Sequence, residues 1–407
     1  MFISGTRTGS AKGAVAVVYT TTASPFIGGY RFDGLDTTQP WKVKYSDVTG
    51  ANIPEGVSSV LNYGNDIAVA PSNSKVLFGA QNSTKLHIYN FNWISGFGSL
   101  SKVDPSSSVP EEFTNITGVC FSQDESHVAI SALASPSSND SYMSVYNWDE
   151  GLAGLEYRIS TFRDVTSVTS WALDSELVNE SGSDEQFVLT STVPPSGTSR
   201  QVILGYGTVA PSVVYYRELP FNSSTQYYGD VLYPPSQSPV SLYESQFPDN
   251  RYVVTVMDNG VMYFVEVSGG YFLGYVPNSS SPQFSPTADG TVSGYTAKYA
   301  MFDPHGRLII AQTDSPYLSI WSVDPSNGSF TKIDDYPSWA GGEINTLAYD
   351  KDQDILFVSS QSSPYITAFR MSNTGFDFKY PDPASVPSAS VVRMSLAYDE
   401  RWKSYNA

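Results

Sequence analysis

Residues 299–312 read YAMFDPHGRLIIAQ: an apolar strand, a tight acidic turn with proline and glycine, then a second apolar strand. The same figure returns as IAVAPSNSKVLFGA at 67–80, VCFSQDESHVAIS at 119–131, SLYESQFPDNRYVVTV at 241–256 and LAYDKDQDILFVS at 347–359. A degenerate copy begins SWALDSELV at 170–178 and passes through an enlarged turn into FVLTST at 187–192. The anchors Ala70, Phe121, Leu173, Tyr243, Phe302 and Tyr349 are separated by 51, 52, 70, 59 and 47 residues. After most copies a third strand follows: KLHIYNF, YMSVYNW, VMYFVEV, YLSIWSV and YITAFRM. Each alternates polar and apolar residues with the period of two that a half-buried strand shows. A weaker fourth strand tends to come next, as at 329–333 and 376–380. Four antiparallel strands recurring about every 50 residues is the arithmetic of a β-propeller.

The ends of the chain complete the pattern. MSLAYDERWKS at 394–404 matches the first strand of the repeat, with no second strand after it. GAVAVVYTT at 13–21 reads as a second strand, PFIGGYRF at 25–32 as a third and WKVKYSD at 41–47 as a fourth, with no first strand before them. The C-terminal strand is therefore expected to complete the N-terminal blade, which removes two sheet edges open to aggregation. Six complete blades and this shared one predict a single all-β, seven-bladed propeller of four-stranded antiparallel blades over residues 13–407. Residues 1–12 read as an N-terminal arm, and loop insertions are expected at about 219–239 and 276–294.

Composition agrees with an all-β chain. Of 407 residues 15% are charged and 14% aromatic, and the sequence is poor in the Lys and Glu that build helix surfaces but rich in Tyr, Val, Thr and Gly. The 22 basic and 40 acidic side chains give a net charge of −18. A nucleic-acid binder needs a basic stripe, and Lys42 with Lys44 is the densest candidate, so no nucleic-acid partner is expected. The same charge disfavours an anionic membrane surface. No apolar run reaches the roughly 18 residues of a membrane span, and the run Ala14–Tyr19 is short for an export signal. The single cysteine, Cys120, excludes an internal disulfide framework and a thiolate zinc cluster.

The run SIWSVDPSNGSFTKI at 319–333, preceded by FDPHGRLIIA at 302–311, resembles a repeat of the lactonase-like and WD40-like propellers. The regular Trp-Asp signature of WD40 repeats is missing: Trp148 and Asp149 are adjacent in one blade only. Low charge, abundant Ser, Tyr and Gly and degenerate blades also resemble propeller proteins of bacteriophage tails and virions. That resemblance implies a virion location, with other virion or tail proteins and copies of the chain itself as partners.

Local motifs offer little chemistry. Asp350, Asp352 and Asp354 have the alternate spacing of a calcium loop, but Ile355 stands where an EF-hand needs glycine. They also fill the turn slot that PSNS, SQDES, FPDN and DPHG fill elsewhere, so they read as turn residues. His87, His127 and His305 fall in three different blades with no local metal spacing and read as structural or solvent-facing. Cys120 reads as a small core residue. No nucleophile elbow and no phosphate-cradling loop occurs. No catalytic, metal or cofactor residues are expected on this reading, and no cofactor.

What remains is surface recognition. The stretch 219–239 carries Tyr227, Tyr228 and Tyr233, the stretch 276–294 carries Phe284, and Trp339 lies between two blades. Aromatic loops on a rigid scaffold suit adaptable contacts, so these five residues are the candidate interaction surface. The sequence thus predicts a non-enzymatic structural module mediating protein–protein assembly in a phage virion or tail. The alternatives are a cytoplasmic lactonase-like hydrolase with its site in the central channel, where Glu244, Asp303 and Asp350 follow the first strands, and binding of a host-surface receptor or glycan through the aromatic loops.

Overall fold

The computed structural model describes residues 14–49, 66–70, 72–79, 86–103, 303–312, 315–323, 330–336 and 342–398. Between 115 and 302 it describes the strands alone, with side chains only at Val119, Phe121, Val128, Ile130, Trp148 and Met301. The arm at 1–12 lies outside the described residues.

All regular structure among the described residues is strand. β1 (Val15–Thr21), β2 (Ile27–Phe32) and β3 (Trp41–Lys44) belong to the first sheet, and β4 (Asp66–Val69), β5 (Lys75–Gly79), β6 (Leu86–Asn92) and β7 (Gly96–Val103) form the second. The third comprises β8 (Asn115–Phe121), β9 (His127–Ser135), β10 (Ser138–Asp149) and β11 (Gly154–Arg163). The fourth holds β12 (Glu185–Thr192), β13 (Arg200–Gly207), β14 (Val213–Asn222) and β15 (Tyr227–Tyr228), with β16 (Val240–Ser241) also on β14. The fifth is β17 (Tyr252–Val256), β18 (Met262–Glu266), β19 (Tyr271–Pro277) and β20 (Phe284–Thr291). The sixth is β21 (Ala297–Phe302), β22 (Arg307–Gln312), β23 (Leu318–Val323) and β24 (Phe330–Asp335). The seventh is β25 (Ile344–Asp350), β26 (Ile355–Ser360), β27 (Ile366–Ser372) and β28 (Gly375–Lys379). Finally β29 (Val391–Tyr398) returns to pair antiparallel with β1, with Val17 opposite Leu396 and Tyr19 opposite Met394. The first sheet thus reads β29-β1-β2-β3, and the expected closure between the two ends of the chain is present.

The sheets stack side by side like propeller blades. β17, β21, β25, β29, β4 and β8 lie each beside the next, so the first strands of successive sheets follow one another around the axis. Every blade must then bury both faces, which explains near-continuous apolar strands such as VAVVY in β1. Alternation sorts them: Val15, Val17 and Tyr19 pack with Ile355, Phe357 and Ala368 of the seventh sheet. Ala16 and Val18, on the other face, pack with Ile67, Val76 and Phe78 of the second. The sixth and seventh sheets join through Ile309, Ile320, Leu347, Val358 and Phe369.

Antiparallel alternation places the first-to-second and third-to-fourth turns of every blade at one end, and the second-to-third turns at the other. At that second end three turns are built alike. Ser24-Pro25, Ser315-Pro316 and Ser363-Pro364 are cis, each followed by an aromatic residue with positive φ, Phe26, Tyr317 and Tyr365. The carbonyls of these aromatics accept from Thr21 N, Gln312 N and Ser360 N respectively, at 2.9, 2.7 and 3.0 Å.

Two local expectations are corrected. YVVTV, expected as a second strand, is β17 at the head of its sheet, and VMYFVEV, expected as a third, is β18 in second place. Of the stretch expected to supply the first strand, the described residues are those of β16, which pairs with β14, and 242–251 lie outside the described residues. Strands at neighbouring radial positions carry the same alternation, so periodicity does not fix which is innermost. In addition, residues 284–291 of the expected 276–294 loop form β20, paired with β19, and residues 219–222 and 227–228 of the 219–239 stretch belong to β14 and β15. An outer strand such as FSPTADGT needs little apolar surface and therefore reads as loop.

Candidate functional site

The site is built from first-to-second-strand turns of the sixth and seventh sheets. Between β21 and β22, Asp303 folds the DPHGR turn around its own carboxylate. Oδ1 accepts from the backbone N–H of His305 and of Arg307, both at 2.9 Å. Oδ2 accepts from Arg307 Nε at 2.5 Å, and Arg307 Nη2 lies 2.5 Å from the same oxygen. Both side chains are buried, and Nη1 of Arg307 donates across the blade boundary to the carbonyl of Ser372. The guanidinium is thus spent on structure, tying the sixth sheet to the β27–β28 turn of the seventh. This turn leaves His305 projecting, with its side chain 36% exposed.

Between β25 and β26 the DKDQD sequence makes the equivalent turn, as expected of a turn slot. Asp350 Oδ1 accepts from Asp352 N at 3.0 Å and Gln353 N at 3.3 Å, and its Oδ2 accepts from Gln353 Nε2 at 2.7 Å. Burial pushes the Asp350 carboxyl up to about 6. Asp354 closes the turn with a φ of 54°. Its Oδ1 lies 3.1 Å from His305 Nε2 and 3.5 Å from Tyr349 Oη. Burial, reinforced by the charges of Asp303 and Asp354, holds the Tyr349 phenol well above its ordinary range. Tyr349 therefore keeps its proton and donates a hydrogen bond to Asp354. A carboxylate only accepts, so in the neutral imidazole the contact with Asp354 selects the tautomer with its proton on Nε2 and the lone pair on Nδ1. An aspartate that orients a half-exposed histidine with one basic nitrogen is an arrangement able to take a proton from water.

Reading the histidines by local spacing missed this pair, because His305 and Asp354 are 49 residues apart. The usable signal was the repeat itself, since equivalent turns of adjacent blades are neighbours in space. His87 is fully buried in β6 and edge-on to Phe78, in keeping with a structural role. Among the described residues no group of three or more His, Cys, Asp or Glu side chains could hold a metal ion, and no helix is long and apolar enough to cross a membrane. Of the expected interaction surface, Tyr233 and Trp339 lie outside the described residues, as do the side chains of Tyr227, Tyr228 and Phe284.

No protein-family model and no curated protein matches the chain. Solved structures do. A protein of Bacteroides fragilis provisionally named a 6-phosphogluconolactonase is 11% identical, with a TM-score of 0.61 over 96% of this chain and 99% of that one. The periplasmic gluconolactonase of Pseudomonas aeruginosa is 14% identical, with a TM-score of 0.58 over 94% of this chain and 99% of that one. A second provisionally named 6-phosphogluconolactonase, from Bacteroides uniformis, gives 14% and 0.56 over 95% of this chain and 100% of that one. At such identities the likeness establishes the fold, a propeller of lactonase-like type. It also corrects the expectation of a non-enzymatic module: the architecture matched nearly end to end is that of proteins named as lactonases. None of these three names concerns a virion.

Proposed function

We propose that the chain is a lactonase-like hydrolase whose acid–base group is His305, held by Asp354. The observation that carries this reading is the 3.1 Å His305–Asp354 contact between two adjacent blades. The names of the solved structures with the same architecture support it. In the reaction, Nδ1 of His305 takes a proton from water as the water oxygen bonds to the lactone carbonyl carbon. The tetrahedral adduct then collapses with cleavage of the ring C–O bond, and the imidazolium returns the proton to the departing alkoxide. A ring-opened hydroxy acid leaves. Asp354 stabilises the imidazolium and fixes the ring's tautomer, while Tyr349 and the Asp303 turn hold the two partners in place.

The test is hydrolysis of a panel of five- and six-membered lactones by the purified chain, with the spontaneous rate subtracted. His305→Gln should lower kcat/KM by about 100-fold or more, and Asp354→Asn should lower it by a smaller factor, with unchanged circular dichroism in both. Full activity in the His305→Gln protein would remove His305 from the chemistry.

A further inference from the structure

We infer that this site selects uncharged lactones and discriminates against phosphorylated or carboxylated ones, an inference that rests on the lactonase reading. Among the described residues, the turns around His305 carry more negative than positive charge. The arginine of the cluster, Arg307, is buried and turned inward: Nε and Nη2 lie on Asp303, and Nη1 donates to the Ser372 carbonyl. It has no face left for a substrate phosphate, which arginine would bind through its planar fork. Asp303 cancels it, so that pair presents no net charge.

The remaining ionisable groups on the β25–β26 turn are Asp350, Lys351, Asp352 and Asp354. Asp354 is half-exposed at His305 and Asp352 is exposed two residues before it. The one cation of the turn, Lys351, is exposed and stands between two aspartates in the chain, so carboxylates outnumber amines there. The turn that holds His305 through Asp354 therefore presents an excess of negative charge, on a chain whose net charge is −18. A neutral sugar lactone feels no repulsion from such carboxylates, whereas an anionic group is repelled. Each added unit of like charge at close range costs about fivefold in encounter and binding, less as salt rises.

The experiment compares one six-carbon aldonolactone with the same lactone carrying a phosphate, using the full chain at low and at physiological salt. The uncharged lactone should have the higher kcat/KM by about tenfold or more at low salt, with the gap narrowing at higher salt. Asp352→Lys should raise kcat/KM for the phosphorylated lactone about fivefold or more at low salt and leave that for the uncharged one unchanged. Equal or faster hydrolysis of the phosphorylated lactone by the native chain overturns this inference and leaves the hydrolase reading standing. Hydrolysis of neither lactone overturns both.

Discussion

Asp350 and Asp303 occupy the same slot in adjacent blades, yet their charges are handled differently. β22 opens with Arg307, which neutralises Asp303, while β26 opens with Ile355. Asp350, fully buried, is left with hydrogen bonds from its own turn, and burial pushes its carboxyl up to about 6. An unfolded aspartate titrates near 4. Between roughly pH 4 and 6 the folded chain therefore holds a proton that the unfolded chain has released. Its contribution to stability is greatest below about pH 4 and falls as pH rises, flattening above about 6. The free energy lost across that window is about 3 kcal/mol. Asp350→Asn should remove this slope and stabilise the chain at pH 7 by about 2 to 3 kcal/mol, as read from denaturant unfolding across that range. The Gln353 Oε1, buried without a hydrogen bond, can turn to accept from the new amide. A slope unchanged by the substitution would mean another group titrates there. The sequence marked Asp350 as a turn residue but not as a buried charge, because burial depends on the blade alongside. The same holds for His305: its chemistry rests on Asp354, supplied by the next blade.

At the scale of the element, the strands were legible wherever both faces are buried. RLIIAQ and ILFVSS are buried at every residue, and no other local structure suits such a run between tight turns. The outer strands were not, since β28 buries only its first residue fully and alternates afterwards between half-buried and exposed. Nor were the Ser-Pro-aromatic turns, although the motif recurs in three blades: a short motif inside a degenerate repeat becomes visible once the flanking strands are aligned. One contact that holds an outer strand comes from the neighbouring blade. The β27–β28 turn ends at Gly375 with a φ of 125°, and a Cβ there would lie 2.6 Å from Asp334 Oδ2 of the neighbouring blade. Asp334 Oδ2 also accepts from Phe376 N at 3.3 Å. Gly375→Ala should therefore destabilise by about 2 kcal/mol or more from backbone conformation and crowding together. In an Asp334→Ala background the carboxylate is gone and only the Cβ of residue 334 stays close, at 2.9 Å, so the same change should cost less, and a double-mutant cycle on unfolding midpoints would give a coupling of about 0.5 kcal/mol or more. Additive effects would show that the carboxylate does not constrain the turn.

For the whole molecule, the closure of the first sheet joins the two ends of the chain. β29 supplies the inner edge partner of β1 along its full length, from Val15 opposite Tyr398 to Thr21 opposite Val391. β29 also sits between β25 and β4, so it joins the first, second and seventh sheets at once. The connection leading to it is pinned as well: Tyr30 Oη donates to the Ser385 carbonyl at 2.6 Å and Trp41 Nε1 to the Pro381 carbonyl at 2.7 Å. Without β29, β1 would present a flat apolar strand with open backbone groups, the kind of edge that recruits other chains. A chain ending at Ser390 should therefore elute as soluble oligomers or precipitate, where the full chain with its paired edge should elute at its monomer mass. A peptide spanning residues 388–407, added in trans during refolding, should restore the monomer by pairing with β1. Size-exclusion chromatography with light scattering distinguishes these states. A shortened chain that stays monomeric and melts at the temperature of the full one would show that the ring is held by sheet-to-sheet packing alone, and that the pairing of the two ends is incidental to it.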